Sequence, residues 1–327
     1  MTQVSAQVST VRGPIEASEL GTVLAHEHVF VLNEEIRQNY PQLWDEEAQV
    51  ANAIARLTEL KERGVDTIFD PTVIGLGRDI HRVARINAQV DLNIVPATGL
   101  YTYDDVPLFF RMQGPGTMLG GPEQMVDLFV GDLERGIAGT DIKAAFLKCA
   151  IEEELTPGVE RVLRAVAAAH QRTGAPIMVH TSPAHRTGLD AQRVLREEGV
   201  DLSLVMIAHS GDTTDLDYLH ELIDAGSILG MDRFGLEILL PTDDRVATIA
   251  KLAAEGLADR MVLAQDASCH IDWFPPGLVE TMSPNWRFTF IHDQVIPALR
   301  QAGVTDEQLT AMLVDTPRRF ITSQMPA

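Results

Sequence analysis

The segment TVLAHEHV (22–29) sets His26 and His28 on either side of Glu27 at the end of a short apolar run. A strand turns residues i and i+2 to the same side, so both imidazoles are expected to face one way. Seven further runs of the same kind follow: DTIFDPT (66–72), NIVPATGLY (93–101), AAFLKCA (144–150), PIMVHTS (176–182), LVMIAHS (204–210), SILGMDRF (227–234) and MVLAQDA (261–267). Between them lie amphipathic stretches such as GVERVLRAVAAAHQRTG and DYLHELIDAGS, which close on Gly, the residue best suited to a helix C-cap.

This alternation is that of parallel βα units rather than of a sandwich, and eight of them imply closure into a (β/α)8 TIM barrel. A chain of 327 residues suits a single barrel domain, 1–327, with about 1–15 as an N-terminal tail. The closing patterns WRFTFIHDQVIPALRQAG and TDEQLTAMLVDTPRRFI supply the eighth helix and an additional C-terminal one. Two segments, 104–121 and 267–286, read as long loops. Long βα loops carry function in this fold, although surface ornament is an equal reading of the first.

His180 ends the fifth strand, His209 the sixth and Asp266 the eighth, so with His26 and His28 five donors converge on the C-terminal rim, where barrel active sites sit. Imidazoles with a carboxylate suit zinc, manganese, iron or cobalt. The set lacks the thiolates of a closed structural site and so reads as catalytic. Lys148 puts an ammonium into an apolar strand, where an unpaired charge costs several kcal/mol. Either an acid such as Glu27 neutralises it, or the amine is carbamylated and acts as a carboxylate-like bridge between two cations.

Acidic residues outnumber basic ones 47 to 26, giving a formal charge of -21 that argues against phosphate-backbone binding. Cys149 and Cys269 are too few for a disulfide framework and fit a reducing compartment. Cys149 faces away from Lys148 on its strand, and the role of Cys269 stays open. The start MTQVSAQVST has neither a basic patch nor an apolar run, and no stretch has the length of a membrane span. A cytoplasmic enzyme is expected, without nucleic-acid or membrane partners. His81, His170, His220 and His292 fall in helix patterns, His185 and His270 in loops, and all are expected to be solvent-facing or structural.

The HEH pair, the strand lysine, the two histidines on successive strands and the final aspartate resemble, in that order, the phosphotriesterase family of the amidohydrolase superfamily. The likeness runs from TVLAHEHV to DTPRRF. It implies two divalent ions, zinc foremost and cobalt, iron or manganese as alternatives. One would be held by His26, His28 and Asp266, the other by His180 and His209, with carbamylated Lys148 and a hydroxide bridging them.

TGLYTY, EEGVDL, MDRFGLEILLPTDDR and DASCHIDWF are more similar to the phosphotriesterase-like lactonases. That likeness implies ring opening of N-acyl homoserine lactones, a quorum-quenching activity, with weak organophosphate triester hydrolysis beside it. Arg233 stands where the organophosphate-degrading members carry histidine. Asp266, Arg233 and Asp212 would form a proton relay, while Tyr101, Tyr103, Arg233 and Trp273 would meet the substrate. Trp273, Phe274, Pro275 and Pro276 would wall a groove for an alkyl chain, in a loop that in the lactonases also neighbours a homodimer interface. A phosphotriesterase, a general γ- or δ-lactonase and a non-catalytic, metal-stabilised binding barrel are the alternatives.

Overall fold

The computed structural model describes residues 6–322. Strands β1 (Val23–Leu24), β2 (Thr67–Asp70), β3 (Asn93–Gly99), β4 (Phe146–Ala150), β5 (Ile177–His180), β6 (Val205–Ala208), β7 (Ile228–Met231) and β8 (Met261–Leu263) form one parallel sheet in chain order. Each is followed by a helix: α1 (Glu46–Glu62), α2 (Ile80–Asn87), α3 (Gln124–Glu134), α4 (Pro157–Thr173), α5 (Thr187–Glu197), α6 (Leu216–Asp224), α7 (Thr242–Ala254) and α8 (Ile296–Gln301). The expected TIM barrel is therefore the fold, and every strand lies within its expected segment.

Local chemistry sets the helix ends. The Thr156 hydroxyl accepts the Val159 N–H ahead of Pro157, and Gly174, at φ 73°, ends α4 in the left-handed conformation that glycine adopts without strain. Strand alternation divides the core into two layers. Leu147 and Cys149 of β4 pack outward with Val162 and Val166 of α4, whereas Phe146 and Ala150 fill the lumen with Phe69, Met178, Met206 and Val262. Phe320, in the C-terminal helix Thr316–Thr322, stacks 6.4 Å from both Phe69 and Phe146 and caps that lumen.

The barrel closes in an unexpected way. TVLAHEHV is not one strand: β1 pairs with β2, and a separate strand, His28–Val31, pairs in parallel with Ser268–Ile271. MVLAQDA likewise stops at Leu263, and the supposed loop 267–286 begins as that second strand, carrying His270 with it. Glu27 explains the break. Its buried carboxylate accepts the N–H of Gln265 at 2.6 Å and of Ala267 at 2.9 Å, replacing strand pairing on either side of Asp266. Asp266 thereby holds φ 54°, which is rare without glycine.

Three smaller corrections follow. Within the expected tail, Gln7–Val8 pairs antiparallel with Ile15–Glu16 and Val8 is buried; residues 1–5 lie outside the described residues. The loop 104–121 contains a short helix, Leu108–Met112. Both closing helices widen to π-turns, Ile291–Val295 and Ala311–Asp315. Each π-turn ends shortly before a proline, Pro297 or Pro317, which has no N–H for the normal i to i−4 bond.

Candidate metal centre

Residues on or just beyond β1, β4, β5, β6 and β8 bring the ligand candidates to one rim. Nε2 of His26 and Nε2 of His28 each lie 3.2 Å from Asp266 Oδ1, a convergence of three donor atoms able to hold a cation. Their other nitrogens are engaged: His26 Nδ1 meets Asp232 Oδ2 at 2.8 Å and His28 Nδ1 meets Thr72 Oγ1 at 2.7 Å. Such partners fix ring orientation and tautomer in metal sites. Burial holds His26 down, at about 4, so it is neutral and ready to ligate.

His180 and His209 form the other half. Glu152 takes the Nε2–H of His180 at 3.1 Å, and Asp232 takes the Nδ1–H of His209 at 3.0 Å. That leaves His180 Nδ1 and His209 Nε2 facing each other at 2.9 Å with a lone pair on each. Burial lowers both imidazoles, which removes the proton that could have been shared between them, and a cation relieves the conflict.

Lys148 lines the same cavity as His26, His28 and His180, is 1% exposed, and its Nζ has no hydrogen-bond partner among the described residues. Glu27 makes no ion pair with it, and its two oxygens accept backbone N–H groups instead. Burial lowers the amine to about 8. An orphaned ammonium beside two histidine pairs is a poor resting state and a good attachment point for an anionic group.

Behind this floor, Arg233 Nε donates to Asp266 Oδ2 at 3.1 Å and Nη1 to Asp212 Oδ2 at 3.1 Å, while Arg245 Nη1 donates to Asp212 Oδ1 at 2.6 Å. Burial alone would raise Asp266, but His26 and His209, once protonated in acid, and the Arg233 guanidinium hold it well below the usual carboxylate range. Tyr101 donates its hydroxyl to Glu152 Oε1, and burial followed by Glu152 pushes the phenol up. Burial opposes ionisation of Glu152, yet His180 and Tyr101 bring it to about 2.

Above lies a cavity of about 410 Å3 whose walls include Val31, Leu76, Leu236, Ile271, Trp273 and Phe274. Tyr103 stands at its mouth, 62% exposed, and the Trp273 ring lies 6.1 Å from that of Tyr101. A larger cleft of about 640 Å3, with Arg56, Arg63 and Arg287 in its lining, shares Ser268, Ile271, Phe274 and Trp286 with that cavity but none of the metal-ligand candidates. Cys149 and Cys269 are buried, and burial raises both thiols, as core residues require.

Asp232, Glu152 and Thr72 were not among the residues singled out from sequence. A signal existed for Asp232, an acid adjoining Arg233 at the end of β7. Glu152 opens the run Glu152–Glu154, which looks like a solvated loop.

The sequence profile of the phosphotriesterase family matches residues 6–321. A phosphotriesterase homology protein of Mycobacterium tuberculosis is 60% identical over 320 residues, covering 97% of this chain and 98% of the relative. An aryldialkylphosphatase of Saccharolobus solfataricus is 38% identical over 309 residues, 94% of this chain and 96% of the relative. A solved structure described as the phosphotriesterase from Mycobacterium tuberculosis superposes with a TM-score of 0.96 at 60% identity, covering 98% of this chain and all of that one.

Proposed function

This chain belongs to the phosphotriesterase family of hydrolases, and on that premise we propose that it opens lactone rings, with N-acyl homoserine lactones as the preferred class. The observation that carries the reading is the cavity itself: a floor of histidine and carboxylate donors beneath apolar walls, in a space of about 410 Å3, which suits a substrate with a polar head and an alkyl chain. Two divalent ions, one on His26, His28 and Asp266 and one on His180 and His209, with Lys148 carbamylated between them, would supply a nucleophile at neutral pH and polarise the scissile carbonyl. The family, the two lone pairs 2.9 Å apart and the orphaned Lys148 amine support that assignment.

The chain's own residues do the rest. Asp266 accepts the proton released on attack and returns it to the leaving alkoxide, with Arg233 fixing the orientation of its Oδ2. Asp212, tied to Arg233 and Arg245, completes the relay. Tyr101 and Tyr103 meet the polar head of the substrate, and Trp273 the chain. Trp273, Phe274 and the Pro pair also belong to the face by which two copies would form a homodimer.

A second reading, organophosphate triester hydrolysis, is favoured by the aryldialkylphosphatase relative and uses the same floor. Initial rates of the metal-loaded protein across acyl homoserine lactones of rising chain length, simple γ- and δ-lactones and paraoxon test the proposal. Lactone rates well above the triester rate, rising with chain length, are expected. A triester preference would reverse the order of the two readings, and metal binding without turnover of any ester would leave a binding barrel.

A further inference from the structure

Asp232 is fully buried and does not line the substrate cavity, yet it touches both halves of the centre. Its Oδ2 accepts from His26 Nδ1 at 2.8 Å, and its Oδ1 accepts from His209 Nδ1 at 3.0 Å and from the His209 backbone N–H at 2.7 Å. We propose that Asp232 is the positioning residue that couples the two metal positions, by locking His26 and His209 together in the one tautomer able to ligate through Nε2. The inference rests on the two-cation reading above.

Donors and acceptors decide the tautomer. A neutral imidazole has a single N–H, and a carboxylate can only accept, so each Nδ1 facing Asp232 must carry the proton. Each Nε2 is then a bare lone pair. That of His26 points at Asp266 Oδ1, 3.2 Å away, in one half; that of His209 points at His180 Nδ1, 2.9 Å away, in the other. One carboxylate therefore fixes one ligand of each ion.

The surroundings are shaped for this contact. A Cβ on Gly230 would lie 2.5 Å from Asp232 Oδ2 and 2.9 Å from the Ala208 Cα, so glycine on β7 leaves the carboxylate its room. His209 has φ 65°, a left-handed conformation uncommon outside glycine, and its N–H is anchored on Asp232. His26, His209 and Asp232 could also enclose an ion among themselves. Against that, their separations are hydrogen-bond lengths, the His209 amide already occupies Oδ1, and neither Asp232 nor His209 borders the cavity.

Asp232→Asn separates these possibilities, because an amide has one accepting oxygen for three donors. One imidazole must then move its proton to Nε2 and lose its ligating lone pair. The full-length protein is loaded with zinc, equilibrated against graded chelator and assayed for bound metal, with circular dichroism as the folding control. The wild type is expected to retain two equivalents, and the variant to lose roughly 10–100-fold in affinity for at least one, the range typical of such outer partners.

Long-range 15N spectra of histidine-labelled protein give the second readout, on the metal-free and zinc-loaded wild type. Protons on Nδ1 of both His26 and His209 are expected. A proton on Nε2 of either in the metal-free protein, or an unprotonated, zinc-bound Nδ1 in the loaded one, overturns the proposal even if the variant fails to fold. So does an Asn variant that keeps both equivalents at unchanged affinity. A wild type that binds no divalent ion defeats the functional reading instead, a result distinct from these.

Discussion

Tyr101 gives its hydroxyl proton to Glu152, the carboxylate that also holds His180 by Nε2 at 3.1 Å. The phenol next to the metal-ligand candidates is thus committed to a protein partner, and a substrate that uses it must compete with Glu152. An alkoxide leaving group competes well, being a far stronger acceptor than a neutral ester oxygen, whereas an activated phenolate needs little help.

Tyr101→Phe is therefore expected to lower lactone turnover by roughly tenfold to a few hundredfold, the cost of one lost donor in such a site, and to spare paraoxon hydrolysis. Steady-state rates on both substrates at equal metal content check this. Equal losses on the two would assign Tyr101 to holding Glu152 and His180 rather than to the leaving group.

Lys148→Ala removes the amine that has no hydrogen-bond partner among the described residues. Loss of hydrolysis and of at least part of the bound metal is expected, with short carboxylic acids restoring some of each by filling the gap with an anion. Metal analysis and activity with and without propionate decide it. A variant that binds and turns over like the wild type would remove Lys148 from the centre.

Trp273 forms part of the cavity wall and is still 48% exposed, so it can shield an alkyl chain without being needed for the core. A buried methylene is worth about 0.8 kcal/mol, so two carbons lying along that wall improve kcat/KM by roughly tenfold. Trp273→Ala should flatten the chain-length profile while a small unsubstituted lactone is hydrolysed at nearly the wild-type rate. Parallel profiles at equal metal content and oligomeric state would show that the chain runs elsewhere.

Glu27→Gln keeps the shape of the side chain but replaces one acceptor oxygen by a donor that faces the N–H of Gln265 or Ala267. Leaving a buried N–H unsatisfied costs about 1–3 kcal/mol, so urea unfolding should shift by that amount. Metal affinity should fall with it, since Asp266 lies between the two amides. An unchanged midpoint would mean that the rim does not depend on this clamp.

The strands could be read from sequence because each is buried on both faces and so centres on an apolar run, as VMIA and MVL show. The ligand candidates stood out as polar residues ending those runs. What escaped the reading depends on partners far along the chain. The pairing of His28–Val31 with Ser268–Ile271 has no local signature, nor has the use of Glu27 as a backbone acceptor. Asp232 and Glu152 looked like ordinary strand-end and loop acids, and only tertiary structure shows that each faces a histidine nitrogen.

The seam at the rim also sets an order of events for the chain. Glu27 and Gln265 are 238 residues apart, and His28 meets Ser268 across a similar span, so this junction is among the most non-local pairings in the molecule. Contacts of such separation pay a large loop-closure cost before they return anything, and they form late. His26 and His28 are made early in synthesis but have no Asp266 beside them until almost the whole chain has emerged. A nascent or truncated polypeptide therefore offers isolated histidines, and the barrel brings its candidate ligands together only in the step in which its first and last strands meet.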